Sequence, residues 1–365
     1  ITRSKTDFES TSTASGNITW YAGNDIHTYL GKAVPSTLTN GVNFKQEGAG
    51  RTIWQAGNDL ITHNAVHFQF TSNAKDWASL GLLAGRNIVL GGVNISEYDV
   101  NNTSVTNEFK VETEVNDTVV LHAKDGYIQT NSLVNLERSN TGAALTKLWA
   151  GCGTFNTNNN IDVEHTFNYT EPTGGQAAGA LIYLYAENDI LSNQDAASGT
   201  CDTRQAPITF TVPTSSKTIT KWEAERNINT MGRVDFAYGA ATSAGPLTWL
   251  SRGGYIQTER PVTIAYKSDS TISFLAEDWR HDATHAHAGN FTTGRRGNIH
   301  FFDSVRINRN NTAGGMTQLK AENHIWTAML DYVDEASTGD TMEIISHKGD
   351  IYLGYNDNTA PQSPY

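Results

Sequence analysis

Cysteine is scarce in this chain of 365 residues, with Cys152 and Cys201 alone. Two thiols are too few for a cysteine-rich zinc cluster and are compatible with a single disulfide. Charge is sparse as well: Asp, Glu, Lys and Arg make up 18% of the chain, and 38 acidic against 26 basic residues leave a net charge of −12. The only notable basic pair is Arg295-Arg296, so electrostatics argue against nucleic acid and anionic membranes as partners. Ala180 to Ala186 is among the longest apolar runs, far short of the roughly 18 residues a transmembrane helix needs. The G-x-S-x-G, H-E-x-x-H, P-loop and dinucleotide signatures are absent, and no enzyme class declares itself by motif. The first residue is Ile1 rather than Met and no signal peptide precedes it, so a processed chain or a piece of a longer one is expected. What the sequence does hold is 32 Gly and an abundance of Thr, Ser and Asn, a balance that suits a turn-rich β-protein better than a helical bundle.

A short motif recurs along the chain. Trp20-Tyr-Ala22-Gly-Asn-Asp25-Ile26, Trp54-Gln-Ala56-Gly-Asn-Asp59-Leu60, Leu82-Leu-Ala84-Gly-Arg-Asn87-Ile88 and Leu184-Tyr-Ala186-Glu-Asn-Asp189-Ile190 align, as do Trp222-Glu-Ala224-Glu-Arg-Asn227-Ile228 and Leu319-Lys-Ala321-Glu-Asn-His324-Ile325. Weaker copies centre on Ala123, Ala150, Ser251, Ala276 and Ser346, giving eleven small-residue anchors. Two positions before the anchor the residue is apolar in all eleven. Three positions after it Asp, Asn or Gly stands in nine, the exceptions being Trp279 and His324. These residues tolerate left-handed backbone best, which reads as a corner with Asp25, Asp59, Asn87, Asp189 and Asn227 among its structural residues. Four positions after the anchor the residue is apolar or aromatic in eight, failing at Thr154, Arg280 and Asp350.

Alternating segments follow each anchor: Val66-His-Phe68, Val93-Asn-Ile95, Val134-Asn-Leu136, Ile161-Asp-Val163, Val234-Asp-Phe236 and Val262-Thr-Ile264. Such alternation is strand period. The anchors are spaced by about 32 residues on average, with insertions after Ala22 and Val93, between Ala186 and Ile208, and between Ala276 and Val305. A unit of two or three short strands cannot bury its inner face alone, whereas stacked units share one continuous core. The minimal unit of about 26 residues is too short for a propeller blade of about 40–45. The expected fold is all-β: a right-handed parallel β-helix, or solenoid, of about eleven coils with loop insertions. Its length would be roughly 50 Å at about 4.8 Å per coil. The expected organisation is a polar N-terminal arm over 1–17, the β-helix over 18–356 and a C-terminal tail over 357–365.

The pattern apolar-x-Ala-Gly-x-[Asp/Asn]-[Ile/Leu], best seen at Leu82 to Ile88 and Leu184 to Ile190, resembles the repeats of filamentous-hemagglutinin-like proteins, the secreted β-helical adhesins of bacteria. That resemblance implies export and a role in adhesion or extracellular matrix. The repeat here is longer than the family's, and the Asn-Pro-Asn motif of its secretion domain is absent.

Several groups are candidates for chemistry. A Cys152–Cys201 disulfide would close a 49-residue loop and stabilise by about 4 kcal/mol at most, and it would fit an oxidising compartment. The position after the anchor holds Glu187, Glu225, Arg252, Glu277 and Glu322 in units six to ten, a column that reads as a solvated edge, a divalent-cation ladder or a carboxylate pair for glycoside chemistry. His281, Asp282, His285 and His287 in the longest insertion suit zinc or copper by donor type but match no closed motif, and a polar surface loop is the simpler reading. Tyr29, Tyr98, Tyr169, Tyr238 and Trp326 fall outside the core columns as candidates for stacking on sugars. Eight Asn-x-Ser/Thr sequons are near the number expected by chance.

The leading expectation is a non-enzymatic extracellular structural protein, an adhesin or a surface-fibre subunit that polymerises head to tail through its coil ends. No cofactor or catalytic residue is expected, and surface glycans are the further partner. The alternatives are a carbohydrate-active β-helix enzyme, a lyase or hydrolase using Glu277, Asp278 or Glu322, and a viral or phage tail fibre.

Overall fold

The computed structural model describes residues 6–11, 16–28, 41–47, 50–63, 65–71, 78–91, 108–113, 118–131, 133–138, 144–152, 156–164, 166–171, 180–192, 207–212, 217–238, 245–266, 269–278, 296–310, 314–335 and 339–354. Among these there is no helix, and every strand pairing is parallel. One sheet is formed by the strands that end at the anchors: β2 (Ile18–Ala22), β5 (Gly50–Ala56), β8 (Ala78–Ala84), β11 (Thr118–Ala123), β14 (Leu145–Ala150), β17 (Leu181–Ala186), β20 (Ile219–Ala224), β23 (Leu247–Ser251), β26 (Ile272–Ala276), β28 (Met316–Ala321) and β30 (Thr341–Ser346). After the corner come β3 (Ile26–Thr28), β6 (Leu60–Thr62), β9 (Ile88–Leu90), β12 (Ile128–Thr130), β15 (Ile161–Val163), β18 (Ile190–Ser192), β21 (Ile228–Thr230), β24 (Tyr255–Thr258) and β31 (Ile351–Leu353). A third ladder holds β1 (Thr6–Ser10), β4 (Gly41–Glu47), β7 (Ala65–Thr71), β10 (Glu108–Thr113), β13 (Leu133–Arg138), β16 (Phe167–Thr170), β19 (Ile208–Val212), β22 (Val234–Tyr238) and β25 (Val262–Tyr266). The longer β27 (Asn298–Arg309) and β29 (Ile325–Asp334) run from the second ladder into the third. Strands stack in sequence order around a single apolar interior, the arrangement of a parallel β-helix.

The eleven anchors stand in one register column, from Ala22 against Ala56 to Ala321 against Ser346. The apolar position two residues earlier stacks likewise, with Trp20 on Trp54 and Trp222 on Trp249, each pair at 4.7 Å between ring centroids. The apolar column after the corner is complete rather than broken at three units: Ile26, Leu60, Ile88, Ile128, Ile161, Ile190, Ile228, Ile256, Ile299, Ile325 and Ile351 pair in succession. Insertions within the corner displace Ile161 and Ile299 from the fixed spacing, and a corner longer by one residue displaces Ile128, Ile256 and Ile351.

The corner residues also make a side-chain contact between coils. Among the described residues the left-handed glycines are Gly91, Gly151, Gly297 and Gly354, and the column's glycines Gly126, Gly254 and Gly349 are not among them, while Gly153 lies outside the described residues. Among the described residues, the Asp, Asn and His side chains of the corners accept a backbone N–H of the next coil. Asp25 accepts from Asp59, Asp59 from Asn87 and Asn87 from Tyr127, each at 3.1 Å. A second run goes from Asn160 to Asp189 to Asn227 to Tyr255, and a third from Asn298 to His324 to Asp350. His324 breaks the Asp/Asn rule in sequence yet keeps the chemistry, because its Nδ1 accepts from Asp350 N–H at 2.9 Å. Each run stops at a glycine. A Cβ on Gly126 would lie 2.1 Å from Asn87 Oδ1, and on Gly254 it would lie 2.1 Å from Asn227 Oδ1.

Two further expectations change, and a third falls outside the described residues. Residues 6–10, placed in the polar arm, form β1 in register with β4, because Phe8 stacks on Phe44 at 4.7 Å and meets Trp20 edge-on. Ile161-Asp-Val163 belongs to the second ladder, and the third strand of that coil is β16, with Phe167 and Tyr169 inward. Val93-Asn-Ile95 lies outside the described residues, and the strand paired with β7 and β13 is β10.

Candidate functional site

Because side chains alternate across a strand, the positions one and three residues before each anchor point away from the core. Along coils four to eight the first of these columns reads His122, Trp149, Tyr185, Glu223 and Leu250, and the second holds Lys147, Tyr183 and Lys221 in successive strands. The rings form a contiguous run on the outer face. His122 stacks on Trp149 at 4.7 Å, Trp149 meets Tyr185 edge-on at 6.0 Å, and Tyr185 lies 5.9 Å from Tyr183. The Lys147 ammonium sits 3.6 Å from the centroid of the Trp149 ring and 5.4 Å from that of Tyr183. His122 Nε2 donates to the Gly151 carbonyl at 2.9 Å, which fixes its ring over the indole.

Two carboxylates close one end of the run. Tyr183 OH donates to Glu223 at 2.6 Å, and Tyr185 OH donates to Glu225 at 2.9 Å. Lys221 and Arg252 both pair with Glu223. Burial opposes the charge on Glu223, but the hydrogen bonds from Lys221 and Tyr183 and the charge of Arg252 outweigh it and hold its carboxyl below the usual range. Glu225 goes the other way. Burial pushes it up to about 7 against the pull of Tyr185 and Arg252, and its Oε2 is buried with no hydrogen-bond partner. Burial, reinforced by these carboxylates, also raises both phenols far above their ordinary range, so at neutral pH they are hydrogen-bond donors.

The column after the anchor is therefore no uniform solvated edge. Glu187 is fully buried across Gly151 and accepts from Asn159 at 2.7 Å, while Glu225 is 6% exposed. Glu322 pairs with Lys348, and Asp278 is buried. Tyr169 and Tyr238 are core residues, since both occupy inward positions of the third ladder. Trp326 is half-buried and stacked parallel to Tyr352 at 5.8 Å. Tyr29, Tyr98, Cys201, His281, Asp282, His285 and His287 lie outside the described residues. Cys152 is exposed, with its Sγ 3.3 Å from Asp125 Oδ1. Among the described residues no three His, Cys, Asp or Glu side chains are placed to hold a metal ion. The run of His122, Trp149, Tyr183 and Tyr185 is absent from the sequence candidates, although strand alternation relative to the anchors marks those positions as outward.

A pH dependence follows from the buried carboxyls. Asp162, like Glu225, is raised to about 7, by burial and by the nearby charge of Asp189. Acids with raised folded pKa make the folded chain bind more protons than the unfolded chain, so their contribution to stability falls as pH rises from about 4 to about 7. His63, lowered by burial and by His27, acts in the opposite sense up to its ordinary value of 6.5. Glu223 acts in the opposite sense only near and below its ordinary value of 4.5. The measurement is thus a comparison of variants. Combining Glu225→Gln with Asp162→Asn should remove a loss on the order of 1–3 kcal/mol per group between about pH 5 and pH 8. Parallel stability–pH curves for parent and double variant would contradict the assignment. Comparisons of the chain with protein-family models, with curated proteins and with solved structures find no match.

Proposed function

We propose that this chain is a non-enzymatic, extracellular recognition protein of the adhesin type, whose β-helix holds an extended saccharide against the outer face of its anchor sheet. The observation that carries this reading is the run of His122, Trp149, Tyr183 and Tyr185, partly exposed rings in contact across three successive strands. A sugar ring has an apolar C–H face and a polar rim, and rigid amphipathic aromatics match the former at low entropic cost. A β-helix presents such rings at the repeat of its coils, which suits a polymer better than a compact ligand. The extracellular setting rests on the resemblance of the repeat to secreted adhesins.

Calorimetric titration with a panel of acidic and neutral polysaccharides is the test. At least one should bind, and Trp149→Ala should weaken it roughly tenfold or more. The melting temperature should change little, because Trp149 faces outward. No binding across the panel, or equal binding by the variant, would remove this reading. Turnover of a polysaccharide abolished by Glu277→Gln or Glu322→Gln would replace it with a carbohydrate-active enzyme.

A further inference from the structure

We infer that the aromatic run selects an acidic saccharide of the uronic-acid type, whose carboxylate is received by the Lys147 ammonium. The inference rests on the glycan-binding reading above and narrows its ligand to one chemical class.

Lys147 differs from the other lysines on this face. Lys221 is paired with Glu223, and Lys320 with Glu343. Lys147 has rings for neighbours, Trp149 at 3.6 Å and Tyr183 at 5.4 Å, and among the described residues no carboxylate answers it. It is half-buried on the outer face, in register with Tyr183 and two residues before Trp149. Burial lowers its pKa, and no acidic group offsets that effect. A partly desolvated cation held over an indole lacks a counter-ion, and an anion reaching it makes a charge-assisted hydrogen bond in a medium of reduced dielectric.

The surroundings determine which anion fits. Tyr183 and Tyr185 have committed their hydroxyl protons to Glu223 and Glu225, so they offer ring faces and acceptor oxygens. The net charge of −12 gives the chain no long-range attraction for a polyanion. A single ammonium beside a ring platform thus suits one carboxylate on a sugar whose apolar face lies on the rings. It does not suit a densely sulfated chain, which is held by many cations at once.

The experiment titrates the folded protein with oligogalacturonate, oligomannuronate and a hyaluronan fragment, with the carboxyl-reduced form of each, and with a heparin fragment. At least one uronate oligomer should bind, and its reduced form should bind roughly tenfold to a hundredfold more weakly. Lys147→Gln should lose the same factor for the uronate and leave the reduced oligomer unchanged, while Lys147→Arg keeps most of the affinity. Reduced oligomers that bind as well as their parents, or a Lys147→Gln variant with full affinity, would overturn the acidic selection and leave the glycan-binding reading standing. Preference for heparin with a steep salt dependence would overturn it in favour of charge-density binding. Absence of binding to both forms of every oligomer would overturn this inference, and the glycan reading falls with it when the wider polysaccharide panel also shows no binding.

Discussion

Replacing Arg309 with leucine is expected to destabilise the last three coils by about 3–5 kcal/mol, the usual cost of leaving a buried charge without its partner. Arg309 is the last residue of β27, with its side chain fully buried. Its Nη1 donates to the Met316 carbonyl at 2.9 Å and to Thr317 Oγ1 at 3.2 Å, and Nη2 donates to the Ser270 carbonyl at 2.8 Å. Its Nε lies 2.8 Å from Asp340 Oδ2, an ion pair whose acidic side chain is also wholly buried. One guanidinium therefore ties together the entries to three successive coils. Leucine would leave Asp340 as a buried charge and strip donors from two carbonyls and a hydroxyl. Lysine cannot reproduce the planar fork, so Arg309→Lys should recover only part of the loss. In a stack where each coil touches only its neighbours, the damage should stay local. Hydrogen exchange should show lost protection in β26, β28 and β30 and none in β5 to β11. Uniform loss along the rod, or a double variant Arg309→Leu with Asp340→Leu no more stable than the single one, would refute the clamp.

Trp222→Ala should cost a similar 3–5 kcal/mol, by transfer and cavity formation rather than by lost hydrogen bonding. Trp222 is fully buried and stacked on Trp249 at 4.7 Å with the ring planes 7° apart. It also packs against Phe210 and Phe236, each at 5.9 Å. Its indole Nε1 has no hydrogen-bond partner, so the polar end of the ring contributes nothing that phenylalanine would forfeit. Trp222→Phe should accordingly cost much less than Trp222→Ala. The position lies mid-rod, where a hole interrupts the continuous core, so urea unfolding should lose cooperativity as the two flanking segments uncouple. A single sharp transition with unchanged midpoint would show that the interior collapses around the gap.

Much of the architecture is written locally. The alternation of inward and outward residues, and the small anchor that follows each apolar pair, mark the anchor strands wherever they occur, and all eleven anchors stand in register as the repeat implies. The apolar column after the corner is harder to read because its spacing from the anchor varies. The corner before Ile161 and the one before Ile299 hold insertions, and those before Ile128, Ile256 and Ile351 take an extra residue beside a glycine. Counting four residues from the anchor therefore mistakes Tyr127 and Tyr255 for core positions, whereas pairing places Ile128 and Ile256 there.

The sequence by itself determined the fold class, the number of coils and which face of each anchor strand is apolar, because those depend on period and composition within one unit. Only the tertiary structure decided the purpose of the corners and the chemistry of the outer face, because both depend on residues in different coils. Asp189 Oδ1 accepts from the N–H of Asn227, 38 residues away, and Tyr185 OH donates to Glu225, 40 residues away. Such partners meet only when insertions of unequal length have been absorbed and the coils have stacked. The same stacking buries Glu225 and leaves Lys147 against the Trp149 ring with no carboxylate partner among the described residues, so that equal-looking charges in the sequence come to occupy unlike environments.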